Sequence, residues 1–107
     1  MPNNFKLKTK QTTASLADMY TATSVTTTII GMTMANISAS SVTASAKIVK
    51  SGGTDIFIVK DAPIAVGSSL VVVGGNQKLV MEDGDKIQIV SSVTQTVDVS
   101  LSILEMS

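Results

Sequence analysis

The chain reads as short segments in which apolar and polar residues alternate, separated by breaks rich in Gly, Pro, Asp and Ser. The cleanest segment is Thr96–Leu104. In an extended strand its Val97, Val99, Leu101 and Ile103 share one face, while Asp98, Ser100 and Ser102 share the other. Val42–Lys50 repeats the pattern, with Val42, Ala44, Ala46 and Ile48 set against Thr43, Ser45 and Lys47. Lys86–Val90 places Ile87 and Ile89 inward. Val25–Asn36 is longer and carries Thr26, Thr27, Thr28, Ile29 and Ile30 in a row. Side chains branched at Cβ lose little freedom on a pleated surface, so this run predicts a strand. Leu16–Thr21, Asp55–Lys60, Leu70–Val73 and Lys78–Met81 complete the set. No stretch sustains a helical period; a single turn over Ala14–Met19 is the most that the pattern allows.

The breaks carry their own expectations. Ser51-Gly52-Gly53-Thr54 predicts a hairpin with both glycines at positive φ. Lys60-Asp61-Ala62-Pro63 is expected to end a strand, because Pro63 has no N–H for a ladder. Ala22–Ser24, Asn36–Ser41, Ala65–Ser68, Gly74-Gly75-Asn76 and Glu82-Asp83-Gly84-Asp85 predict turns. About eight strands at this spacing indicate an all-β fold, an antiparallel β-sandwich. A jelly-roll-like topology is the preferred arrangement. Residues 16–107 form that β-sandwich domain. Residues 1–15 are polar around Phe5 and Leu7 and read as an N-terminal arm, or a loosely held first strand that a neighbour could order.

Composition narrows the chemistry more than the fold. Among 107 residues there is no His, Cys, Trp or Arg; eight Lys balance eight acids, and charged residues make up 15%. Imidazole bases, thiolate nucleophiles, Cys- or His-type metal sites and guanidinium clamps are therefore excluded. Polar surface must come from 13 Thr and 14 Ser instead. Zero net charge gives no steering toward nucleic acid or an anionic membrane. No strictly apolar run is longer than Leu70–Val73, far below the roughly 20 residues that span a bilayer. No apolar segment follows Lys6, Lys8 and Lys10, so a secretory signal is not expected.

Each remaining polar constellation has a plainer reading than a site. Glu82, Asp83 and Asp85 around Gly84 could suggest a calcium loop, but the set lacks ligands and reads as a hairpin turn with solvated acids. Lys60 and Asp61 are adjacent, so strand alternation should point them to opposite faces. Thr26–Thr28 could form an ice- or glycan-binding face and reads more simply as a solvated β face. Gly74-Gly75 is followed by neither Lys-Ser/Thr nor a helix start, which excludes a phosphate loop. Asn36-Ile37-Ser38 matches a glycosylation acceptor, a short pattern of low specificity. Phe5, Tyr20 and Phe57 are the full set of aromatic residues, too few for base stacking. Met32 and Met34 share a strand face and read as core filling, with a subunit interface second. No catalytic, cofactor-binding or metal-binding residue is assigned, and no cofactor is expected.

One ordered set of motifs carries a resemblance. It runs from Tyr20-Thr21 through Thr27-Thr28-Ile29-Ile30 and Ala35-Asn36 to Val59-Lys60-Asp61-Ala62-Pro63-Ile64. Gly67-Ser68-Ser69-Leu70, Gly74-Gly75, Leu79-Val80 and Gly84-Asp85 follow. Ile87-Gln88-Ile89, Ser91-Ser92 and Asp98-Val99 through Leu104-Glu105 close it. Over residues 16–105 this order resembles small β-sandwich virion structural proteins of tailed bacteriophages of the marine type. Residues 1–15 lie outside the resemblance. It implies a non-enzymatic virion subunit, first a capsid decoration or cement protein acting through oligomeric contacts. A neck, collar, tail or baseplate accessory protein is the alternative within that class. The implied partners are a major capsid protein or neck and tail proteins, together with further copies of the chain, and neither nucleic acid nor membrane. A glycan- or receptor-binding module, with Tyr20 and Phe57 as its aromatic platforms, is the alternative from another class. An enzyme is the most remote.

Overall fold

The computed structural model describes residues 3–74 and 78–106. They form nine strands: β1 (Asn3–Gln11), β2 (Ala17–Thr21), β3 (Thr26–Asn36), β4 (Val42–Val49), β5 (Ile56–Ile64), β6 (Ser69–Val73), β7 (Leu79–Met81), β8 (Lys86–Ser91) and β9 (Val97–Met106). One antiparallel sheet has the order β1-β9-β3-β6, with short β7 also on β3; the other has the order β2-β8-β4-β5. β6 and β7 lie along the same edge of β3, at Met32–Ala35 and Thr27–Ile29 respectively. Counted as one interrupted edge, they leave eight positions in the order of a jelly roll, the arrangement preferred above although periodicity does not encode strand order.

The strand faces follow the expected pattern where pairing is regular. Val97, Val99, Leu101 and Ile103 of β9 are buried, as are Val42, Ala44 and Ala46 of β4 and Ile87 and Ile89 of β8. Ile29, Met32, Met34 and Met81 fill the space between the sheets, so these methionines pack the core. In β3 the buried positions switch from Thr27 and Ile29 to Met32, Met34 and Asn36. A register shift against β9 between Ile29 and Gly31 inserts one residue and reverses the parity.

Several local expectations need correction. Thr27 is fully buried and bonded to Tyr20, so Thr26–Thr28 is not a wholly solvated face. β5 does not stop before Pro63 but runs to Ile64. It is the edge strand of its sheet, where a missing N–H costs no ladder bond. Only Gly52 of the Gly52-Gly53 pair takes positive φ, at 72°. The turn is closed instead by Gly53 N–H donating to the Lys50 carbonyl at 3.2 Å. Residues Ala14–Met19 contain no helical turn; Met19 belongs to β2. Glu82–Asp85 is not a hairpin turn within one sheet, because β7 pairs in the first sheet and β8 in the second. The turn expected at Gly74-Gly75-Asn76 falls partly on residues 75–77, outside those described.

Asn3–Gln11, within the polar N-terminal stretch, pairs antiparallel with β9 without a register shift from Asn3↔Met106 to Gln11↔Asp98. Beyond it, Thr12 is fully buried. Its N–H donates to the Val97 carbonyl at 3.0 Å, and its hydroxyl lies 2.5 Å from that of Ser91. This residue ties the two sheets together just after β1.

Candidate interaction surface

Three polar clusters of the interior could in principle carry chemistry, and each is consumed by structure. Asp85 is 1% exposed, against the expectation of a solvated turn acid. It accepts from the backbone N–H of Ser51 and of Glu82 and from Lys50 Nζ, each at 2.9 Å. Burial pushes its carboxyl up, but the two N–H donors and the Lys50 ammonium outweigh that and hold it below the ordinary Asp value. Lys50 also bonds Glu82 at 2.5 Å and is raised by both acids. Nearby, Asp83 Oδ1 accepts from Ser24 N–H at 2.7 Å, and Gly84 N–H donates to the Ala22 carbonyl at 2.8 Å. The acids thus pin three connections at one end of the sandwich. Among the described residues no cluster of three or more acids is placed to hold a metal ion.

The second cluster bridges the sheets. Tyr20 hydroxyl donates to Glu105 Oε2 at 2.5 Å and lies 2.7 Å from Thr27 Oγ1, while Lys6 Nζ reaches Glu105 Oε1 at 2.7 Å. Burial, followed by the Glu105 carboxylate, pushes the phenol up to about 12. Lys6 and Tyr20 hold Glu105 below its ordinary value. A buried phenol in this state is neither a base nor a ring on which a sugar can stack. The third cluster is centred on Asn36, which is 5% exposed. Its amide donates to the Ser40 and Ile64 carbonyls at 2.8 and 2.9 Å, and its Oδ1 accepts from Ser38 N–H and Oγ. The amide of the glycosylation pattern is therefore fully engaged.

Lys60 and Asp61 meet at 3.8 Å, contrary to strict alternation. A register shift in β5 and an Asp61 φ of 49° bring them together, and buried Ser45 Oγ accepts from Asp61 N–H at 2.8 Å. Both side chains are solvated, so the pair is a surface contact of small energy. Phe57 has Lys47 and Lys60 ammonium groups 5.5 and 5.6 Å from its ring centroid. Of the two aromatic platforms named for a glycan module, Tyr20 is buried, and Phe57, 39% exposed, shares its ring with two ammonium groups.

The two outer faces of the sandwich differ sharply in charge. That of β2-β8-β4-β5 carries the ion pairs Asp18–Lys86 and Lys47–Asp55, at 3.5 and 3.4 Å, with Lys60 and Asp61 at its edge. On the other outer face, residues directly opposite one another share a side. The register places Phe5, Leu104, Thr28 and Val80 in one row across four strands. Leu7, Ser102 and Gly31 form the next row, then Thr9, Ser100, Thr33 and Val71. Gln11, Asp98, Ala35 and Ser69 form the last. Within these four rows Asp98 is the single charged residue, and Gln11 Nε2 donates to it at 3.0 Å; exposed Lys78, two positions before Val80, flanks the first row. Phe5 is 75% exposed, Val71 66%, Leu7 64% and Val80 63%. A shallow depression of about 420 Å³ lies over Thr9, Gln11, Thr33 and Ser100, with Lys10 and Asp98 as its charged lining.

The alternation of Asp98, Ser100 and Ser102 made one strand of this face legible in the sequence. Its apolar row was missed because Phe5 and Leu7 lie in a stretch without regular burial, and Val80 sits in a strand of three residues. Fold and surface together define the class, a jelly-roll β-sandwich with one sparsely charged, partly apolar sheet face. Comparison with known proteins finds no matching family model and no significantly similar curated protein.

Proposed function

We propose that this chain is a non-enzymatic structural subunit that attaches to a larger particle through the outer face of β1-β9-β3-β6. The observation that carries the reading is the charge asymmetry between the two outer faces. Charged side chains are depleted where a surface is to be desolvated, and exposed aromatic and aliphatic groups are enriched there. The sequence resemblance to small virion proteins of tailed bacteriophages supplies the setting. A position as capsid decoration or cement protein is the first choice, and a neck or tail position the second.

Area argues for attachment in many copies. Four strands about 4.8 Å apart and about 30 Å long present on the order of 500 Å². A stable pairwise interface needs roughly 800 Å² per partner. This face alone therefore supports a reversible contact, and lateral contacts between copies would add the rest.

The experiment is mass spectrometry of gradient-purified particles produced from the genome that encodes the chain, with gold labelling to locate it on head or tail. Thr33→Lys and Ser100→Glu place charge on the outer face without touching the core. We expect the wild-type chain on the particle, and folded variants that stay in the soluble fraction. A chain absent from particles, or variants that attach as well as wild type, would overturn the proposal.

A further inference from the structure

The sheet edges are not equivalent. β5 carries two register shifts, a positive φ at Asp61 and Pro63. β2 has five residues and a shift between Asp18 and Tyr20. The β6–β7 edge is interrupted between Val73 and Leu79 and shifted opposite Met32 and Thr33. Bulges, short length and Pro are the usual devices that stop an edge from accepting another strand. β1 has none of these three; its own device is the inward-pointing Lys6, Lys8 and Lys10, which turn away neutral and basic strands and leave an acidic one as the segment that fits. Its nine residues pair with β9 in unbroken register, both of its faces are largely exposed, and no described strand covers its far side.

The register also sorts its side chains. Lys6, Lys8 and Lys10 lie opposite Ile103, Leu101 and Val99, on the side that faces the second sheet, while Phe5, Leu7 and Thr9 lie on the outer side. Glu105 neutralises Lys6. Lys8 and Lys10 form no ion pair among the described residues. A second copy cannot complete this edge well. Antiparallel pairing of two β1 strands in one continuous sheet sets Lys6, Lys8 and Lys10 against the same three residues, and like charges directly opposite are destabilising. Nor does another described segment of the chain offer two free acids at alternate positions, since Asp85 of the Asp83–Asp85 pair is buried and bonded.

We propose that the free edge of β1 receives an extended segment of a partner protein that carries Asp or Glu at alternate positions. Main-chain hydrogen bonds to the edge supply the affinity, and alternate side chains supply the selectivity. The acids meet Lys8 and Lys10 on one side, and small apolar residues meet Phe5 and Leu7 on the other. The inference stands on the edge itself and holds wherever the protein acts.

The test uses the full chain and a labelled nine-residue peptide alternating Glu with Thr and Val. A scrambled peptide of the same composition and one with Lys in place of Glu serve as controls. Fluorescence anisotropy should show saturable binding of the alternating peptide alone, weakening as salt is raised. Amide exchange should slow in Phe5–Lys10 and not in β5. Lys8→Glu with Lys10→Glu should weaken binding by about tenfold or more, and Lys8→Thr with Lys10→Thr by less. Thermal melts should leave the Thr pair near wild type and lower the Glu pair somewhat, because Lys8 acts on Glu105 and Lys10 on Asp18; the Thr pair therefore carries the comparison at matched stability. Absence of saturable binding at millimolar peptide, equal binding of the scrambled peptide, or β1-mediated dimerisation of the chain in ultracentrifugation would each overturn the proposal. None of these outcomes touches the particle location, which mass spectrometry reads separately.

Discussion

Replacing Asp85 by Ala tests whether the end of the sandwich is locked as described. The carboxylate is buried and accepts from two backbone N–H groups and one ammonium. Its loss strands the N–H groups of Ser51 and Glu82, each at roughly 1–3 kcal/mol when buried without a partner. Lys50 keeps Glu82 and adds little to the sum. The two together come to roughly 2–6 kcal/mol, and we expect a loss of about 3 kcal/mol, in the lower half of that range, because water can reach the turn once the side chain is gone. A chain of this length is stable by roughly 5–16 kcal/mol, so the variant should still fold. Its melting temperature should fall by about 10–20 °C. Asp85→Asn keeps one acceptor oxygen and should lose about half as much.

The acid limb gives an independent check. Asp85 and Glu105 are both held below their ordinary values in the folded chain. The unfolded chain therefore takes up protons first as pH falls. The stability that these groups contribute is present above their unfolded values and is lost on acidification from roughly pH 5 downward. In Asp85→Ala one of the two contributions is missing, so urea midpoints of wild type and variant should converge between pH 7 and pH 3. A variant within about 0.5 kcal/mol of wild type at pH 7, or a gap that widens in acid, would refute the account.

Val99→Asp sets an unpaired charge on the 2%-exposed inner face of β9 and should abolish cooperative folding, read by circular dichroism and soluble yield. Tyr20→Phe removes the hydroxyl shared with Thr27 and Glu105 and should cost about 1–2 kcal/mol in urea melts. Tyr20 is the one tyrosine of the chain, so the wild-type phenolate absorbance should stay flat to roughly pH 11. Removing residues 1–11 should leave a cooperative but less stable domain by calorimetry. Removing residues 1–15 also takes Thr12 from between the sheets and should broaden or abolish the transition. Gly84→Ala should destabilise by about 1–2 kcal/mol, because φ is 93° there and a Cβ would sit 2.9 Å from Ser51 Oγ.

The alternation in Val97–Ile103, Val42–Ala46 and Ile87–Ile89 was sufficient to assign inward and outward faces, since period two is a local property of a strand with one buried side. It also sufficed for the fold class. The sequence by itself also determined what the protein cannot do with imidazole, thiol or guanidinium, because those groups are missing from it. Where a strand sits in its sheet is a non-local property, and only the tertiary structure decided it. Pro63 continues a strand because β5 is an edge, and Asp85 is buried because three connections converge on it. The one-residue insertion near Ile30 exchanges the faces of the second half of β3, which no reading of its Thr and Ile run could place. The row of Phe5, Leu104, Thr28 and Val80 is likewise drawn from four segments far apart in the chain. Register between distant strands is set by how two whole sheets bury their apolar sides together, and no local period encodes it.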